Sequence, residues 1–180
     1  MNPDLAEAIS LLPLVPQPPE AVGGAGATSE QLDELSVRLG YALPADLEEW
    51  LYQCNGVMAG PGGIYGAGNP RASLNIGSVM SLHPVWSGRC WIPVAGGGHG
   101  NAYVVDASRE LFDGDPVLFI DVAEREDEPT FVAASGLGLF LVFLLRRELG
   151  ERRWPFEARF VAERDPEILR LPASLLPWNT

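Results

Sequence analysis

The sequence predicts an α+β domain with two N-terminal helices, a mainly antiparallel twisted sheet of about four to six strands, and a closing C-terminal helix. Three observations lead to it. Apolar residues recur at helical spacing over 29–54 and again over 137–149. Between them, short β-branched and aromatic runs are separated by Gly-rich or acidic turns. The short spacing of those runs favours antiparallel neighbours. With 180 residues, 47% of them hydrophobic, the chain can bury one ordinary core.

The first segment, Pro3 to Leu12, reads as a short helix, followed by a Pro- and Gly-rich linker up to Thr28 that sustains neither regular structure. Thr28 with Gln31 three positions on forms a capping box, and Leu32, Leu35 and Leu39 share one face before Gly40 stops the helix. Pro44 suits the first turn of the next helix. Leu43, Leu47, Leu51 and Cys54 line it, and Asn55-Gly56 supplies a left-handed residue at its end. Gly62 to Gly66 suggests a tight or edge strand, and Ile76 to Leu82 a short helix. Four strands follow, Trp91–Ala95, Ala102–Val105, Val117–Val122 and Thr130–Ala133. The closing helix, Leu137 to Leu149, has Leu137, Phe140, Leu141, Leu144 and Leu145 on its apolar face and Arg146-Arg147 at its C-terminal end, where cations oppose the helix dipole. Beyond Glu151 an irregular tail is expected to pack on the domain, with Asp165-Pro166 as a helix start. The expected organisation is thus 1–28 helix and linker, 29–150 domain, and 151–180 extension.

Four segments, in order, resemble motifs of the SUKH superfamily, which holds the Smi and Knr cell-wall regulators and many bacterial toxin-immunity proteins. Leu43-Pro44-Ala45-Asp46-Leu47 resembles its Leu-Pro helix start, and Cys54-Asn55-Gly56-Val57 its Asn-Gly helix end. Trp91 to Ala95 with Gly97-Gly98-His99-Gly100-Asn101 through Asp106 resembles its pair of strands joined by a glycine turn. Ala134-Ser135 with Phe140-Leu141 is similar to its closing helix. The resemblance runs from about Ser29 to Glu148. It departs from the family pattern at Asn101, often Asp there, and in the Gly-rich segment before Arg71. It implies a protein-binding α+β domain with no shared catalytic residues, acting as an immunity protein or as a regulatory or scaffold domain. Leu43, Pro44, Asn55, Gly56, Gly97, Gly100, Asn101 and Asp106 are its motif positions and are expected to be structural.

Charge narrows the function further. Acidic residues number 24 against 12 basic ones, a net of -12, which repels a phosphate backbone. All basic residues are arginine. The absence of lysine excludes Schiff-base chemistry, a Walker-type phosphate lysine and a serine-lysine nucleophile. Residues 106–128 hold nine acids and two arginines, a net of −7. Asp113 and Asp115, and Glu124, Glu126, Asp127 and Glu128, are therefore candidate contacts for a basic partner such as a toxin domain, because complementary charge speeds encounter. Ordinary solvated turns account for the same residues.

The remaining motifs point away from catalysis. Gly96 to Gly100 follows a strand as a dinucleotide loop would, but strand follows it where a helix N-terminus must face the phosphates. It reads as a wide hairpin turn in which glycines adopt positive φ. Gly60-Pro61-Gly62-Gly63 has the same two readings and no following lysine. His83, His99, Cys54 and Cys90 could together bind zinc, yet no pair has metal-site spacing, so no metal or other cofactor is expected. The five tryptophans read as packing residues, with Trp178 also open to an interface role. Two cysteines suggest a reducing compartment, and residues 1–14 carry Asp4 and Glu7 where a secretory signal needs positive charge. A cytoplasmic protein is expected.

Overall fold

The structure, a computed structural model, describes residues 2–16 and 25–180; positions 17–24 of the expected linker lie outside them. Helix α1 spans Pro3–Leu11, with the Asn2 side chain accepting from the Asp4 N–H at 3.0 Å. Helix α2, Ser29–Leu39, begins with the full capping box. The Gln31 N–H donates to Thr28 Oγ1 at 3.2 Å, and the Thr28 N–H donates to Gln31 Oε1 at 3.0 Å. Gly40 closes it with φ of 83°. Helix α3, Ala45–Gln53, starts after Pro44 and buries Leu47, Trp50 and Leu51. Its C-cap is Cys54 in extended conformation, so the left-handed Gly56 stands one residue beyond the usual position and turns the chain after the helix has ended.

Helix α4, Ile76–Leu82, is followed by α5, Pro84–Gly88, and both pack against the first strand. Strands β1 (Trp91–Gly98), β2 (Asn101–Asp106), β3 (Val117–Ile120) and β4 (Phe131–Ala134) form one antiparallel sheet in sequence order. His99 and Gly100, with φ of 53° and 90°, make the two-residue turn between β1 and β2. Both central residues at positive φ match the twist of the strands, as a type I′ hairpin requires. The segment expected as an edge strand lies beside β1. The Tyr65 N–H donates to the Val94 carbonyl at 2.8 Å, and the Gly96 N–H to the Gly63 carbonyl at 2.9 Å.

That lateral contact depends on glycine. A Cβ on Gly96 would stand 2.6 Å from the Gly62 Cα, so two backbones touch where no side chain fits. Gly96→Val is expected to cost about 3 kcal/mol, read as a lowered midpoint in thermal melting, whereas Gly88→Ala meets nothing within 4 Å and should leave the midpoint nearly unchanged.

Helix α6, Leu137–Glu148, is buried almost all round from Leu137 to Leu145, beyond the single face its periodicity predicts. Two layers explain this. On one side, Tyr103 of β2 meets Phe140 with ring centroids 4.8 Å apart. On the other, α1 lies across α6, and a Cβ on Gly138 would reach Asp4 Cβ at 2.9 Å. An acid-arginine cluster ties the outer elements together. Arg164 reaches Asp4 at 3.2 Å and also pairs with Glu7, and Arg146 reaches Glu7 at 2.6 Å.

The extension holds a helix that sequence periodicity does not reveal, α7, Ala158–Arg164, followed by 3-10 turns at Pro166–Arg170 and Ala173–Leu175. Asp165 stands before the first of these turns but makes no side-chain cap to it. Its carboxylate instead takes the Ser135 N–H at 2.7 Å and the Ser135 hydroxyl at 2.5 Å, at the entry to α6.

Candidate protein-binding site

The β2–β3 connection leaves the sheet after Asp106, and the β3–β4 connection leaves it after Ile120, at the opposite end of β3. The second connection does not stay there. Its Glu126 carbonyl accepts the Trp86 indole N–H at 2.7 Å, and Glu126 Oε2 lies 3.1 Å from His83 Nδ1. His83 stacks on Trp86 with centroids 4.1 Å apart. Trp86 is fully buried at the junction of α5 and the sheet, so this anchor holds the acidic loop back across the fold.

A cleft of about 190 Å³ opens where the two loops approach each other. Arg89, Cys90 and Trp91 form one wall, Asp106, Ser108 and Glu110 a second, and Pro129 of the β3–β4 loop closes it. Trp91 stands opposite Asp106 in the β1–β2 ladder, which puts both side chains on one face. The Arg89 guanidinium lies 5.5 Å from the Trp91 ring centroid and 3.9 Å from Asp127. Asp106 is only 1% exposed, and its Oδ1 accepts the Ser108 N–H at 3.0 Å. The Tyr41 phenol is pushed up to about 12, first by burial and then by Cys90 and Asp106. Its hydroxyl, enclosed and near those two groups, has no hydrogen-bond partner among the described residues. The volume falls below the roughly 300 to 1,000 Å³ typical of drug-sized or cofactor ligands.

The candidate contacts divide between places. Asp127 and Glu128 pair with Arg125 at 3.4 Å and 2.8 Å, and Glu124 is exposed on the same loop. Asp113 is exposed on the first loop. Asp115 lies apart from the cleft, in a depression beside Asp46 and Gly136. Burial holds its carboxyl above the ordinary range against the pull of Arg109, with Asp46 and Asp106 adding to the rise. Sequence reading missed Arg89, Trp91 and Glu110 as a group, because nothing in their spacing joins them.

Of the motif positions, Leu43 is buried and Pro44 precedes α3. The Asn55 carbonyl takes the Asn69 side-chain amide at 2.6 Å. Gly97 lies against Phe119, and Asn101 Oδ1 accepts the Val122 N–H at 3.2 Å. Among the described residues no three His, Cys, Asp or Glu side chains gather as a metal set, and no helix is long and apolar enough to cross a membrane.

The two thiols differ in access. Burial pushes the Cys54 thiol up to about 11, whereas Cys90 is partly exposed at the cleft. Iodoacetamide at pH 8 is expected to modify Cys90 in the folded protein and Cys54 only after unfolding, as read by peptide mass spectrometry. Equal modification of both in the folded state would contradict this placement.

The model of the SMI1 / KNR4 family (SUKH-1) matches residues 26–141. No curated protein matches the chain.

Proposed function

The chain belongs to the SMI1 / KNR4 family (SUKH-1), and from that premise we propose that it is a non-catalytic binding domain that neutralises a cognate bacterial toxin by direct contact in the cytoplasm. The observation that carries this reading is the approach of the two acidic connections to a single cleft, one of them held there by the Trp86 and His83 anchor. A segment of net charge −7 then favours encounter with a basic protein surface and repels nucleic acid. Blocking a toxin in this way needs a fitted surface and no reactive group.

The test is capture of partners by the tagged full chain from its own cells, at low and high salt, with identification by mass spectrometry. One stoichiometric partner carrying a basic toxin domain is the expected result. A spread of housekeeping or envelope proteins at both salt concentrations would overturn the immunity reading and favour the regulatory type of domain.

A further inference from the structure

We propose that the cleft between the acidic loops receives an arginine side chain of the protein partner, with its guanidinium held between the Trp91 ring, Asp106 and Glu110. The inference rests on the reading that the partner is a basic protein, and it names the point of attachment. Three features of the cleft select this group. Asp106 is 1% exposed yet lines the cleft, and while Oδ1 is taken by Ser108, Oδ2 has no hydrogen-bond partner among the described residues. The residue is almost wholly buried, so the carboxylate meets little water beyond the cleft, and a donor placed there, above all a charged one, would form a strong bond. Glu110 stands on the same wall, and its carboxylate makes no ion pair among the described residues.

The third feature is the aromatic wall. Trp91 already carries the Arg89 guanidinium 5.5 Å from its centroid, so this ring accepts a planar cation in the folded protein. Arg89 is half-exposed and its nearest acidic contact, Asp127, is 3.9 Å away, a loose pairing that an incoming side chain can displace. Arginine suits the place better than lysine, because its flat fork can stack on the indole while donating to two carboxylates. The volume, about 190 Å³, accommodates one long side chain and not a folded segment.

The probe is N-acetyl-arginine amide, titrated into the full chain and followed by the NMR signals of the Trp91 indole N–H and the Ser108 and Glu110 amides. N-acetyl-citrulline amide, which keeps the shape and loses the charge, is the control. Saturating shifts of these signals with arginine and none with citrulline are expected, with affinity about fivefold weaker in Glu110→Gln. Glu110 is exposed, so this variant should fold normally. Equal responses to both compounds, no response, or shifts confined to other surfaces would overturn the proposal. Failure here with a basic toxin captured from cells removes the arginine pocket alone. Binding here without such a partner removes the toxin reading alone.

Discussion

Ending the chain at Gly150 is expected to unfold it, although the family match stops at residue 141. Trp154 is 3% exposed and stacks on Phe143 with centroids 5.9 Å apart, while its indole N–H donates to the Ala133 carbonyl at 2.9 Å. Val161, Ile168 and Leu171 are buried as well. Four such side chains contribute about 8 kcal/mol at roughly 2 kcal/mol each, as large as the whole stability of many domains. Asp165 adds the two bonds that hold Ser135 at the entry to α6. The truncated chain should lose its cooperative melting transition in circular dichroism. Retention of a sharp transition near that of the full chain would show that the extension is an appendage.

Reversing charge at Glu124, Asp127 and Glu128 is expected to slow association with the captured partner by about tenfold or more at low salt. The effect should shrink at high salt, as screened encounter requires. Glu126 is left in place because its side chain faces His83 and its carbonyl holds Trp86. A single reversal at Glu163 on α7, which pairs with Arg159, should have little effect. Stopped-flow or surface-binding rates decide the matter, and an unchanged rate at low salt for the triple variant would remove the loop from the interface.

Much of the fold was legible because local chemistry and packing agree. The Thr28–Gln31 capping box and the Gly40 stop each act within a few residues, and each lies where the pattern puts it. The turn after β1 is tighter than the wide hairpin expected, because β1 runs on to Gly98 and His99 and Gly100 alone reverse the chain. Helices α5 and α7 were not legible. Each has fewer than eight residues and a single fully buried side chain, Trp86 or Val161, so no periodicity exists to read. The family resemblance, too, covers neither α1 nor the extension, and these are the elements that clamp α6.

The cleft was hidden for a different reason. A regular ladder counted back from the Gly98 and Asn101 pair would set Trp91 opposite Ser108. Two irregularities in β1, between Pro93 and Ala95 and between Gly96 and Gly98, shift the register so that Trp91 faces Asp106. Pro93 lacks the N–H that a regular ladder uses. The approach of the two acidic loops was equally out of reach, since strand order alone sends them to opposite ends of β3. The long-range contacts of Trp86 and His83 with Glu126 reverse that.

The central claim is neutralisation by stoichiometric binding. The most direct test is to titrate the purified chain into its purified partner and read the partner's own toxic activity. The account predicts a linear loss of activity that is complete at one equivalent. Partner activity that persists at several equivalents would contradict it.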